Sequence, residues 1–132
     1  MEEHIVSKVF IENAIGQILI LRRSKTAPQR PLKWDLPGGW VEPNEDPLEA
    51  CRRELEEEAG IVAEDFTEVF RVEEADENRK LIRIYAKAAT DSDKVILSYE
   101  HDTYLWVDKK EYLDYITHEP QMDAFKEVYQ VA

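Results

Sequence analysis

Apolar residues follow two different periods along this chain, and the switches between them mark its elements. From His4 to Ile11 β-branched and aromatic residues dominate, which predicts a strand. Glu12-Asn13-Ala14 reads as a turn, and Gln17 to Leu21 is almost wholly apolar, as expected of a short strand covered on both faces. Thr26 to Lys33 carries two prolines and reads as a loop; Asp35-Leu36-Pro37-Gly38-Gly39 reads as an extended piece ending in a tight bend. The period then becomes helical. Asp46-Pro47-Leu48-Glu49 combines an N-cap acid, proline at the first helical position and a capping-box glutamate, and Gly60 supplies the stop. Between them Leu48, Cys51, Leu55 and Ala59 recur as a buried stripe. Phe66 to Glu73 and Lys80 to Ala88 read as strands joined by the turn-like Ala75-Asp76-Glu77-Asn78, and Thr103 to Val107 as another. Asp108 and Glu111 predict a second capping box opening a short helix through Tyr112, Leu113 and Ile116. A last amphipathic helix is expected from about Pro120 to Tyr129, with Met122, Phe125, Val128 and Tyr129 facing inward. The sum is an α/β domain with a central sheet and helices packed on it. No repeat, low-complexity tract or linker interrupts it, so residues 1–132 are expected to form one domain.

Charge changes this picture. Charged residues make up 35% of the chain, against roughly 25% in a typical domain. The formal net charge of -12 excludes a general surface for polymeric nucleic acid, which needs a basic face. So acidic a protein would also repel phosphorylated small molecules unless a bound divalent cation inverted the local field. The single cysteine, Cys51, cannot form an internal disulfide, which fits a reducing compartment. No apolar run has the length of a membrane span, and the N-terminus lacks a signal-peptide pattern. The expectation is a cytoplasmic protein that does not engage membranes; a homodimer is left open.

The helix that follows Asp46 carries the candidate chemistry. At 100° per residue Glu54, Glu57 and Glu58 stand at i, i+3 and i+4, which places their carboxylates on one face, displaced from the buried stripe. Like charges at this spacing repel, and Glu57 and Glu58 also lie near the negative end of the helix dipole. A hard cation would relieve that cost. Magnesium suits it, being held by a few carboxylates, waters and substrate phosphates. Alone, a glutamate-rich helix is more often a solvated surface. The flanking residues change the balance: Gly39, Glu45, Arg53-Glu54-Leu55, Glu57-Glu58 and Gly60-Ile61 fit G-x5-E-x7-R-E-U-x-E-E-x-G-U without a mismatch, U being a bulky aliphatic residue.

This pattern resembles the signature box of the Nudix hydrolases, and Leu36-Pro37-Gly38-Gly39 before it is also typical of them. The order of elements on either side extends the resemblance to nearly the whole chain. It implies a Nudix-type α/β/α sandwich with a central mixed sheet. It also implies hydrolysis of a nucleoside diphosphate linked to another group, dependent on magnesium or manganese. In that pattern Glu54, Glu57 and Glu58 bind metal together with the carbonyl of Gly38, Arg53 orients the glutamates, and Glu45 ties the loop to the helix.

Between Asn13 and Trp34 the chain has Arg22, Arg23, Lys25, Arg30 and Lys33 and no acid. Arg23 looks like a phosphate-contacting arginine of MutT-type members; Lys25, Arg30 and Lys33 read as ordinary loop cations. Glu100 resembles a further metal-binding or water-activating glutamate of the same relatives. Glu57 is the first candidate for the base and Glu100 the second. His101 reads as a plain loop histidine and Cys51 as core. Trp34, Trp40, Phe70 and Tyr85 could stack on a base, although aromatics in a domain of this size mostly belong to its core. The stretch Ala75 to Arg79 lacks the proline of ADP-ribose-cleaving members and the tyrosine of dinucleoside-polyphosphate-cleaving members. The reading is a MutT-type nucleoside triphosphate pyrophosphohydrolase. Its rival is a non-catalytic Nudix domain that binds a nucleotide and reports it to a partner.

Overall fold

The structure, a computed structural model, describes residues 2–131, so the two ends of the expected domain lie outside the described residues. Seven strands form one mixed sheet: β1 (Glu2–Glu12), β2 (Ile18–Arg23), β3 (Trp34–Asp35), β4 (Gly38–Trp40), β5 (Thr67–Ala75), β6 (Arg79–Ala89) and β7 (His101–Val107). The main order is β3-β2-β1-β6-β5, with β4 added to β1 and β7 to β2. Among the described residues only the long β1–β6 pair, Glu2↔Arg79 through Glu12↔Ala89, is parallel. β1 and β6 are joined by a crossover that contains α1 (Pro47–Ala59), the connection a parallel pair requires.

Alternation along the central strands sorts side chains between two cores. Val9 and Ile11 of β1 and Leu19 and Leu21 of β2 face Cys51, Leu55 and Ala59 of α1. Their neighbours Phe10, Ile18 and Ile20 face Tyr112 of the short α2 (Tyr112–Tyr115) and Ala124 and Phe125 of α3 (Glu119–Tyr129). Helices therefore cover both faces, and Ile18 to Leu21 are fully buried, as their unbroken apolar run demands.

Local signals are followed with two exceptions. The Asp46 carboxylate accepts from the amides of Leu48 (2.8 Å) and Glu49 (3.4 Å), and Gly60 ends α1 in the left-handed conformation at φ 69°. The expected capping box does not close, because the Glu49 carboxylate pairs with Arg52 at 3.3 Å one turn along. Nor does Asp108 cap a helix. Its carboxylate accepts from Gln17 Nε2, and residues 109–111 form a single 3-10 turn before α2. In both places another side chain, the Arg52 guanidinium or the neutral Gln17 amide, competes successfully for the carboxylate.

Buried polar groups were not foreseen, and they fix the strand ends beside α1. Lys8, in the middle of β1, is 9% exposed, and its Nζ donates to Asp35 Oδ2 (3.3 Å), Leu36 O (3.1 Å) and Gly38 O (3.1 Å). Gln121 of α3 accepts from Leu36 N and donates to Asp35 Oδ1. A lysine inside a strand buried on both faces must find oxygen partners, so Lys8 was the available signal for this network.

Candidate active site

Gly38 sits where β4 turns against β1. Its φ is 132°, and a Cβ there would collide with the Ser7 carbonyl oxygen, so only glycine fits. The close approach brings the Gly38-Gly39 backbone onto α1 beside its carboxylates. Gly38 N donates to Glu58 Oε1 at 2.9 Å, and the Glu54 carboxylate lies 3.2 Å from where a Gly39 Cβ would stand.

The three glutamates are therefore not equivalent. Glu58 is 6% exposed, and the expectation that all three share a face displaced from the buried stripe is corrected for it. It follows Cys51 and Leu55 at i+7 and i+3, which puts it at the end of the inner stripe, under the glycine bend. Burial pushes its pKa up to about 8, against the opposing pull of Lys8 and the Gly38 amide. Glu54 is half-buried and shifted in the same direction by burial, with Arg53 opposing. Glu57 is open, its side chain 59% exposed.

Arg53 organises the outer part of this group. Its guanidinium grips both oxygens of Glu45 (2.9 and 3.1 Å) and donates to Glu54 Oε1 (2.8 Å), Glu57 Oε2 (3.4 Å) and the Trp40 carbonyl (3.4 Å). Glu45 in turn accepts from the Glu42 amide, which ties the loop to α1. One arginine thus supplies the positive charge between Glu54 and Glu57. Among the described residues no three His, Cys, Asp or Glu side chains converge into a ready cage for a cation. The donor set nonetheless fits a hard cation. It consists of carboxylate oxygens around a backbone bend with no room for a Cβ, and magnesium needs only one or two carboxylates beside water and phosphate oxygens.

The raised pKa of Glu58 has a stability consequence. A carboxyl whose folded pKa lies above its unfolded value stabilises the fold below about pH 4.5, and that contribution is lost as pH rises through about 8. In chelator, the melting temperature of the wild type should therefore drop more between about pH 5 and about pH 9 than that of Glu58→Gln. Thermal denaturation of both proteins across that range is the check; parallel curves would remove Glu58 as the cause.

The other candidates lie at the rim. Arg23, at the end of β2, spends two nitrogens inside the protein, on Gln29 O (2.7 Å) and Asp35 Oδ2 (3.3 Å). Arg30 also turns in toward Asp35, at 3.6 Å, and is more than the ordinary loop cation expected. Glu100 is exposed and lies just before β7, whose first residue His101 pairs with Arg23; Ser24 N donates to Glu100 O at 3.0 Å. His101 is buried rather than a surface loop residue, and burial lowers its pKa to about 4, so it is neutral at neutral pH. Of the rings considered, Tyr85 is core, Phe70 packs on it, Trp34 packs on Tyr115, and Trp40 is 60% exposed. Cys51 is buried, as expected. Among the described residues no helix is long and apolar enough to cross a membrane.

Known proteins share this fold. The family pattern described as the NUDIX domain matches residues 3–128. A CTP pyrophosphohydrolase from Escherichia coli is 32% identical over 76% of this chain and 73% of its own length. An asymmetrical bis(5'-nucleosyl)-tetraphosphatase from Sus scrofa is 36% identical over 74% and 67%. The crystal structure of a MutT protein from Methanosarcina mazei superposes with a TM-score of 0.82 at 34% identity, covering 98% of this chain and 94% of that one. With the glycine bend, the arginine-ordered carboxylates and the sandwich around them all accounted for, the chain belongs to the Nudix hydrolases.

Proposed function

We propose that this enzyme hydrolyses the pyrophosphate linkage of a nucleoside triphosphate, or of a related nucleoside diphosphate derivative, with magnesium or manganese. The observation that carries the reading is the packing of Glu54 and Glu58 around the Gly38-Gly39 bend, with Glu57 beside them on the open face. Glu54, Glu57, Glu58 and the Gly38 carbonyl would hold the cation, which when bound supplies charge neutralisation on the phosphoryl oxygens and a more acidic water. Gly38 O already accepts from Lys8 Nζ, and a carbonyl oxygen keeps a second lone pair for another partner.

The protein's own groups divide the remaining work. Glu57 accepts the proton of the attacking water, because it is the exposed carboxylate of the three and Arg53 fixes its direction; Glu100 is the second candidate. Arg53 orients Glu54 and Glu57 through its bonds of 2.8 and 3.4 Å to them. Arg23, anchored by Gln29 O and Asp35, presents its remaining donors to substrate phosphate at the rim. The named activities of the relatives, on CTP and on a dinucleoside tetraphosphate, support a nucleotide substrate.

A screen of canonical and oxidised nucleoside triphosphates, nucleotide sugars and dinucleoside polyphosphates tests this. Release of pyrophosphate or of a nucleoside monophosphate is expected from at least one of them, with magnesium or manganese, at neutral to alkaline pH. No turnover with either metal would leave a nucleotide-binding domain without catalysis.

A further inference from the structure

A cleft of about 250 Å3 lies outside the carboxylate group, between the turn at residues 24–28 and Tyr99-Glu100. Its position follows from how α1 ends. The last carbonyls of the helix lack partners within it, and two of them are taken up by the segment between β6 and β7: Ile96 N donates to Ala59 O (2.9 Å) and Ser98 N to Glu58 O (3.2 Å). The segment before β7 is thereby pinned to the turn of α1 that carries Glu57 and Glu58. His101 N to Ser98 O and Ser24 N to Glu100 O then hold Tyr99 at the surface in a defined place.

Tyr99 is 91% exposed, and among the described residues its ring has no aromatic partner, whereas Tyr85 and Tyr112 are core. The opposite wall is mixed. Ala27 and Pro28 give an apolar surface, Ser24 and Thr26 give hydroxyls, and Arg23 closes the side toward β2. The volume falls below the roughly 300–1,000 Å3 of sites that enclose drug-sized ligands, which suits one base rather than two joined nucleosides.

We propose that this cleft is the subsite for the substrate's nucleobase, with the face of Tyr99 as its stacking platform and the Ser24 and Thr26 hydroxyls at the base edge. The proposal rests on the pyrophosphohydrolase reading for the identity of the substrate. An open ring beside an arginine and a small apolar wall suits a planar group attached to phosphate. The ring also stands clear of the core, so its removal costs no packing.

The test measures binding of the non-hydrolysable α,β-methylene analogues of ATP, CTP, GTP and UTP, and of inorganic tripolyphosphate, by calorimetry with magnesium. Tyr99→Ala should weaken the analogue bound best by wild type by about 5- to 150-fold, the range that alanine gives at stacking platforms. Tripolyphosphate should bind as before, and Tyr99→Phe should match wild type, since the stack uses the ring face. Unchanged analogue binding in Tyr99→Ala, an equal loss for tripolyphosphate, or a selective loss in Trp40→Ala instead would overturn the subsite. So would a wild type that binds none of the analogues. Turnover separates this from the parent reading: a protein that binds nucleotides through Tyr99 yet hydrolyses none keeps the subsite and loses the activity. One that turns over equally well with alanine at this position keeps the activity and loses the subsite.

Discussion

Replacing Glu57 by Gln is expected to lower kcat by at least about 100-fold, the scale of removing a key electrostatic group from a site, with KM little changed and folding nearly intact. The structure supports the expectation of intact folding. The Glu57 side chain is 59% exposed and its contact within the fold is one long bond, 3.4 Å, from Arg53. Losing a partner of that kind at i, i+4 on a helix surface costs a few tenths of a kcal/mol, about 0.5 at most. A large kinetic effect could therefore not be a folding effect. Steady-state kinetics on whichever substrate the screen identifies, together with a melting curve, is the measurement. Near-normal turnover in a folded variant would take Glu57 out of the mechanism and move the base to Glu100, where Glu100→Gln should then show the loss.

Asp35→Ala should cost the fold about 3–5 kcal/mol at neutral pH, the range for removing one partner of a buried ion pair. Asp35 is 1% exposed, and burial by itself would raise its pKa; Lys8, Arg30, Gln121 and Arg23 outweigh that and bring it down to about 2. Because the folded pKa lies below the unfolded value of 3.8, the stabilisation is present above that value and is lost as pH falls toward 2. Without Asp35, Arg23 and Arg30 can turn to solvent, their side chains being 23% and 35% exposed, but the Lys8 ammonium remains enclosed with only backbone carbonyls as partners. Lys8→Met combined with Asp35→Leu should regain most of the loss, since an apolar pair of similar volume leaves no uncompensated charge. Denaturant unfolding of the single and double variants decides the matter; a loss below about 1 kcal/mol in Asp35→Ala would mean the network is not a structural tie.

Much of the architecture was legible because it rests on local rules. The period switch at Asp46, the proline at 47 and the glycine at 60 bound α1 correctly, since capping and left-handed stops are decided within a few residues. The apolar run from Ile18 to Leu21 could be covered on both faces only inside a sandwich. The box from Gly39 to Ile61 named the family without tertiary information, because its spacing alone brings a glycine bend, an arginine and three carboxylates into reach of one helix face. The two failed capping boxes mark the limit of such rules: Glu49 and Asp108 had better partners in Arg52 and Gln17 than in the helix amides.

Tertiary structure decided which carboxylate is buried and which is open. Helical spacing put Glu54, Glu57 and Glu58 near one another, but only the approach of Gly38 to β1, and of its amide to Glu58, made Glu58 an acid shielded from water and left Glu57 exposed. The same holds for Lys8, Asp35 and Gln121, which lie far apart along the chain and meet only because β1, β3 and α3 converge behind the glycine bend. The sequence by itself determined the chemistry available to this protein, since residue type and short-range spacing are local properties. Burial and charge pairing are long-range, so the protonation and exposure of each of those groups had to wait for the fold.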